Sequence, residues 1–365
     1  RAENKIAKSA YQRHIHLKSA PGLGLKRGYM MIPSFNPSGI SYMQNSEHVS
    51  TNPENMSKTV AIIGAGLIGC GWAIVFARAG WRVSLYDPNQ QARIAAQDSI
   101  AAQLNLLEAH HLCSDTSEIQ SHIHCVAELQ AAVQGADYIQ ECGPENLDEK
   151  CKIFGELDKI ASPEAILASS SSGLMASQFS ADLSGRHRAL VAHPVNPPHL
   201  VPLVEISSAE WTDPNINKTV HQIMISIGQT PITLHKEIPG FVLNRLQGAL
   251  LNEALRLSQA GIASAEDIDK TIRDGLGMRW SFMGPFETID LNAPGGLADY
   301  AARYGAMYRA MAEPPLASPD WSKAAIDKIA QERRAALDIK DLNQRQYWRD
   351  ARLAALAAHK QKQDR

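Results

Sequence analysis

Residues 60–87 read VAIIGAGLIGCGWAIVFARAGWRVSLYD, and this stretch decides the fold. Thr59 to Ile63 is a short apolar run rich in β-branched residues, as a buried parallel strand requires. It runs into Gly64-Ala65-Gly66-Leu67-Ile68-Gly69, the G-x-G-x-x-G pattern. Gly64 permits the tight turn, Gly66 a close approach of the backbone to a pyrophosphate, and Gly69 the packing of the next helix on the strand. That helix is predicted from about Leu67 to Ala79, with Gly80 to stop it. Its first amides, with those of Leu67 and Ile68 among them, and its positive dipole end suit a phosphate. A second apolar strand, Arg82 to Tyr86, ends in Asp87. Asp87 comes about 20 residues after Gly66, where an acid accepts hydrogen bonds from an adenosine ribose diol. The bland alternative is a glycine-rich turn in some other α/β protein. The flanking strands and the terminal acid favour a dinucleotide instead. Asp87 also favours NAD over NADP, since a carboxylate repels a 2′-phosphate and the next arginine is Arg93.

The 365 residues suffice for two domains, and 44% hydrophobic with 20% charged residues is ordinary for a soluble globular protein. A net charge of −2 gives no bias toward nucleic acid or an anionic membrane, and no apolar run approaches a membrane span. Cys70, Cys113, Cys125, Cys142 and Cys151 are scattered and lack metal-ligand spacing. Reduced thiols in a cytoplasmic protein, with no metal, are expected.

Residues 1–57 differ from the rest. Arg1 to Arg27 is basic with a single acid, Glu3, and Pro, Ser, Asn and Gly dominate from Pro33 to Asn55. A disordered or weakly ordered extension is expected there. Its composition admits an organelle transit peptide, but an expression remnant or an over-extended start is preferred, with Met56 reading like a natural beginning. Helices are expected over Gln90–His110 (Ile94, Ile100, Leu104 and Leu107 on one face), Ala127–Gln134, Leu147–Ala161 and 215–227. A loop and a short strand near His122–Cys125 are expected within 111–125. Strands are expected at 136–140, 165–168, 189–192, 200–206 and 231–234. Strands alternating with helices predict a Rossmann-type, doubly wound parallel sheet over 58–237. After Pro239-Gly240 the pattern is helical, which predicts an all-helical C-terminal domain over 238–365. Leu243, Leu246, Leu250, Ala254 and Leu257 mark one face of its first helix. Ser264 caps the next, and Gly275 and Gly277 are expected to stop it.

Ligand groups gather at the carboxyl ends of strands in such sheets. Gly64, Asp87, Glu141, Ser172 and His193 all fall there. His193 opens His193-Pro194-Val195-Asn196-Pro197-Pro198, and histidine suits removal of a hydroxyl proton as hydride leaves. Glu205 ends the strand expected beside it and is a candidate to orient the ring. A lone histidine is more often packed or solvent-facing, and a serine tract is more often a plain loop. The shared strand-end position raises His193 and Ser172 above that.

The combination resembles the L-3-hydroxyacyl-CoA dehydrogenase superfamily over about residues 58–358. The family serine falls on Ser172 (Ser172-Gly173-Leu174). The His-x-x-Asn-Pro motif falls on His193 to Pro197, Leu-Val-Glu on Leu203-Val204-Glu205, and Gly-Phe-x-x-Asn-Arg on Gly240 to Arg245. The resemblance implies a catalytic set of Ser172, His193, Glu205 and Asn244, NAD held by Gly64, Gly66, Leu67, Ile68, Gly69, Asp87 and Glu141, and a homodimer through the helical domain. Two departures look like the lambda-crystallin and L-gulonate 3-dehydrogenase branch, whose members oxidise small polar 3-hydroxy acids. Pro194-Val195 stands where the fatty-acyl members have two aromatics, and Gly275-Leu276-Gly277-Met278-Arg279-Trp280 departs from their Gly-x-Gly-x-Pro-Met. Leu291-Asn292-Ala293 and Tyr347-Trp348-Arg349-Asp350 are similar to that branch too.

The expected activity is NAD-dependent oxidation of an L-gulonate-like 3-hydroxy acid, with Asn196 and Ser172 near the substrate. Arg279 either pairs with a free substrate carboxylate or makes a surface or interdomain salt bridge. The alternatives are a 3-hydroxyacyl-CoA dehydrogenase, an L-carnitine dehydrogenase, or a lens-type structural protein, against which the intact catalytic set speaks.

Overall fold

The computed structural model describes residues 58–312 and 318–363, so the extension expected over 1–57 lies outside the described residues. One eight-stranded sheet carries the fold, in the order β3-β2-β1-β4-β5-β6-β7-β8. The strands are β1 (Thr59–Ile63), β2 (Arg82–Tyr86), β3 (Ile123–Val126), β4 (Tyr138–Glu141), β5 (Ile166–Ser169), β6 (Ala189–Pro194), β7 (Leu203–Ser208) and β8 (Thr230–Thr233). Strands β1 to β6 run parallel, β7 is antiparallel to β6, and β8 is parallel to β7. The order reverses between β1 and β4, the crevice where such sheets receive ligands.

The helices that cover the sheet are α1 (Leu67–Arg78), α2 (Gln90–Ala109), α3 (Thr116–Ser121), α4 (Leu129–Val133), α5 (Leu147–Ile160), α6 (Ala176–Ser180) and α7 (Pro214–Ser226). Helix α1 buries Trp72, Ile74, Val75 and Phe76 between sheet and neighbours. Phe76 packs against Trp81 and Tyr138. Burying one such ring is worth about 1.5–3 kcal/mol. Helix α2 starts where the Asn89 side chain accepts from the Gln91 amide. Its buried stripe is Ala96, Ile100, Leu104 and Leu107, whereas Ile94, expected on that face, is exposed. At 3.6 residues per turn, Ile94 lies roughly a third of a turn away from that stripe, so it faces off the core, although Ala96 two residues on is already buried.

Beyond Thr233 the described chain is helical: α8 (Leu243–Gln259), α9 (Ala265–Lys270), α10 (Gly277–Trp280), α11 (Pro285–Asp290), α12 (Gly296–Ala312), α13 (Lys323–Ala336) and α14 (Leu342–Gln363). Gly275 and Gly277 do not end α9. The chain continues through a π-helical turn over Thr271–Leu276 directly into α10. A glycine stops a helix by turning left-handed. Gly261 does so after α8, at φ +69°, while Gly277 keeps a helical φ of −62°. The apolar stripe expected on α8 faces outward in part: Leu246 and Leu250 are exposed, and Leu255 is the residue that α8 buries.

Candidate active site

The glycine loop is built for close contact. An added Cβ at Gly69 would lie 1.8 Å from the Gly64 carbonyl oxygen, and one at Gly64 2.8 Å from that of Cys142. At Gly66, by contrast, it would meet nothing within 4 Å. The first two positions are closed by the protein itself, whereas Gly66 borders open space at the start of α1. That helix has no side-chain cap and no acid in its first turn. Its leading amides are therefore available to an anion. Asp87 stands beside this end: its carboxylate accepts from the Ala65 amide (3.0 Å) and the Asn89 amide (2.9 Å). Arg93 donates to the Asp87 carbonyl oxygen (2.6 Å), which ties it to backbone beneath the acid. These features fit a dinucleotide with a free 2′-hydroxyl.

Glu141 reaches the carboxyl end of β4, but its carboxylate turns inward and is 2% exposed. It pairs with the buried Lys150 (2.6 Å) and accepts from Ser169 Oγ (2.7 Å) and the Gly143 amide (2.7 Å). A buried charge needs such partners. Glu141 thus shapes the loop after β4, and every one of these bonds is internal.

The antiparallel turn of β7 sets up the next pair. It places Glu205 near the start of its strand rather than at the end, directly opposite His193 in the register. His193 Nδ1 and Glu205 Oε2 are 2.8 Å apart. The other oxygen, Oε1, accepts from the amides of Val242 (2.8 Å) and Leu243 (2.9 Å) at the start of α8. Burial pushes this carboxyl up, but the bonds from His193 and the two amides outweigh it and hold it below the usual range. The ring of Phe241 packs 5.6 Å from that of His193, centroid to centroid.

His193, Ser172, Asn196 and Asn244 line one cleft of about 430 Å³, together with Ile68 and Glu145. The Asn244 amide donates to the Ser172 carbonyl oxygen (2.8 Å). Among the described residues nothing bonds the Ser172 hydroxyl. Arg279 is not in this cleft. It sits on α10 within electrostatic reach of Tyr300, and among the described residues it makes no ion pair.

Sequence reasoning missed Glu145. Its carboxylate accepts from the Ser171 hydroxyl and from the amides of Ser172 (3.1 Å), Gly173 (3.0 Å) and Leu174 (3.0 Å). Burial raises its pKa, yet these four bonds together leave it lowered. The usable signal was an acid just past a strand end, facing a serine-glycine loop with unpaired amides. Gln247, one turn after Asn244 on α8, also lines the cleft and was missed.

Residues 59–238 match the family model "3-hydroxyacyl-CoA dehydrogenase, NAD binding domain", and residues 240–334 match "3-hydroxyacyl-CoA dehydrogenase, C-terminal domain". The lambda-crystallin homolog of Homo sapiens is 41% identical over 303 residues, covering 82% of this chain and 95% of that protein. The L-carnitine dehydrogenase of Pseudomonas aeruginosa is 35% identical over 305 residues, covering 82% and 94%. Among solved structures, 5-formyl-3-hydroxy-2-methylpyridine 4-carboxylic acid 5-dehydrogenase, an NAD+-dependent dismutase, superposes with a TM-score of 0.72 at 28% identity, covering 82% of this chain and 97% of that one. The chain is an NAD-dependent dehydrogenase acting on CH–OH groups and belongs to the 3-hydroxyacyl-CoA dehydrogenase family.

Proposed function

We propose that the chain oxidises the 3-hydroxyl of a small, polar L-3-hydroxy acid, L-gulonate-like, with His193 as general base. The observation that carries this is the His193–Glu205 pair in the cleft shared with Ser172 and Asn244. The ionised Glu205 accepts only, so Nδ1 carries the proton and Nε2 is left bare. A bare Nε2 takes the hydroxyl proton, and the Glu205 charge then stabilises the imidazolium. The Ser172 hydroxyl and the second N–H of Asn244 hold the reacting oxygen, with Asn196 alongside. NAD supplies the hydride acceptor. Gly64, Gly66 and Gly69, the amides of Leu67 and Ile68, and Asp87 hold it. Glu141 supports that loop from within.

We divide the chain at residue 238 into an NAD-binding part and a helical part for substrate and self-association. Exposed apolar side chains such as Leu246, Leu250, Phe282 and Phe286 support a homodimer through the latter. Free thiols at all five cysteines support a reducing, cytoplasmic location. The resemblance to lambda-crystallin homologues favours a free hydroxy acid over a thioester, and the Pseudomonas relative keeps L-carnitine as a second substrate to test.

The test is NADH formation with L-gulonate, L-3-hydroxybutyrate, L-carnitine and 3-hydroxybutyryl-CoA, for the wild type and His193→Ala. Turnover of a free acid, lost in the variant, is expected. Turnover of the thioester alone, or full activity without His193, overturns the reading.

A further inference from the structure

Helix α14 lies beyond residue 334, where the match to the family's C-terminal model ends. It is nevertheless anchored to the sheet: Ala354 is fully buried in the main core, with Leu353 packed beside it. Between α14 and the glycine-loop helix lies a second chamber of about 400 Å³. Leu67 and Gly71 of α1, Gln103 of α2, and Asn343, Tyr347 and Arg349 of α14 line it. Asn196 lines both this chamber and the catalytic cleft, so the two adjoin.

The lining mixes apolar and polar groups, and Arg349 is its cation. Its Nε and Nη2 both meet Asp350 Oδ1, at 2.9 and 2.8 Å. Asp350 is nearly buried, so it fixes the guanidinium fork. The Nη1 edge bonds nothing among the described residues. His199, also on the wall, adds no charge near neutrality, because burial and then Arg78 push its pKa down to about 4. Its Nε2 lies 3.0 Å from Gln103 Oε1, which leaves the two N–H donors of Gln103 unspent.

We propose that α14 is the substrate-selecting wall of this enzyme, and that Arg349 receives the free carboxylate of the hydroxy acid in the chamber beyond Asn196. This rests on the free-acid reading above. It gives the Tyr347-Trp348-Arg349-Asp350 segment a task and moves the carboxylate-reading role from Arg279 to Arg349. A planar fork held on one edge by Asp350 presents its other edge to a second carboxylate, a geometry that lysine lacks. A chamber of this size holds a small acid. A coenzyme A thioester has no free carboxylate to offer Arg349.

The experiment compares kcat/KM for a free 3-hydroxy acid, its primary amide and the corresponding CoA thioester in wild type, Arg349→Met and Arg349→Lys, with NADH affinity measured in parallel. The wild type is expected to prefer acid over amide by roughly 10–100-fold. Arg349→Met brings the ratio to near parity, mainly through KM, and Arg349→Lys keeps part of it, with NADH affinity unchanged in both. Because the ratio is internal to each preparation, a lower folded fraction does not imitate this result. An acid preference intact in Arg349→Met overturns the proposal while leaving the free-acid reading standing. Weakened NADH binding with an unchanged ratio also overturns it, because Arg349 then serves the cofactor's phosphates. Wild-type activity on the thioester alone overturns the free-acid reading itself.

Discussion

Glu205→Gln separates what Glu205 does for the fold from what it does for the proton. The wild-type carboxylate accepts three hydrogen bonds, from His193 Nδ1 and from the amides of Val242 and Leu243. A glutamine has one oxygen and one NH2. If the oxygen stays on the two amides, the NH2 faces Nδ1 and forces the proton to Nε2. The nitrogen that should accept the substrate proton is then blocked, and the imidazolium has lost its counter-charge. If the amide flips, two buried N–H groups lose their acceptor at about 1–3 kcal/mol each. The first pose is therefore favoured, and it is the inactive one. The same tautomer lesion in a Ser-His-Asp triad costs about 10⁴ in kcat. Here a loss of roughly 10²–10⁴ is expected, with NADH affinity unchanged. The lowered carboxyl of Glu205 stabilises the fold above its unfolded pKa, and that contribution disappears as pH falls through the folded value. Thermal melts of Glu205→Gln should accordingly lose pH dependence in the acid range. Steady-state kinetics with a fluorescence titration of NADH decide the matter. A kcat within about fivefold of wild type, a loss near 1 kcal/mol in barrier, would refute tautomer control by Glu205.

Three further outcomes follow from buried groups and close contacts. His199 has a folded pKa of about 4 against an ordinary 6.5, so stability is full above pH 6.5 and falls as pH drops toward 4. By pH 5 the loss is about 2 kcal/mol, and His199→Gln should melt with a flatter pH profile between 6.5 and 5; an unaltered slope would show that His199 titrates normally. Gly66→Ala should fold and melt like wild type yet bind NADH at least tenfold more weakly, by roughly 1.4 kcal/mol, because its Cβ enters open space at the phosphate end of α1. Gly69→Ala should fail to accumulate as folded protein, since its Cβ would strike the Gly64 carbonyl. Equal NADH affinity in Gly66→Ala, by calorimetry, would remove Gly66 from the cofactor site.

The β1-α1-β2 unit was legible because its signals are local. A β-branched run, three glycines and a terminal acid each have one physical reason to stand where they do. The gathering of Ser172 and His193 was legible from strand ends alone. What stayed hidden depends on tertiary partners. Composition marks Leu203–Ser208 as a strand but not its direction, and direction is what puts Glu205 opposite His193 rather than a strand length away. Glu141 ends β4 and Glu145 follows it by four residues. Only the fold assigns the first to Lys150 in the interior and the second to the Ser172 loop. Gly275 and Gly277 look like stops, yet a glycine ends a helix only where the following chain turns away. Here it continues directly to Arg279, which is not among the residues lining the cleft.

Glu205 also answers a question about α8. The N-cap of α8, Val242, offers no side-chain acceptor, and no acid lies in the first turn. An uncapped start would leave amides unpaired beside a buried carboxylate. Glu205 Oε1, from strand β7, takes the amides of Val242 and Leu243 and so caps the helix from across the sheet. Asn244, next in the helix, then donates to Ser172, whose amide is held by Glu145. His193, Glu205, the start of α8, the serine loop and Glu145 form one continuous line of hydrogen bonds. A shift of α8 off the sheet would strip Oε1 of both its amides and move Asn244 away from Ser172. The charge that orients His193 would then sit buried with one partner instead of three. On the proposed reading of His193 as general base, its proton acceptance is coupled to the seating of α8, because a helix without a cap of its own relies on Glu205.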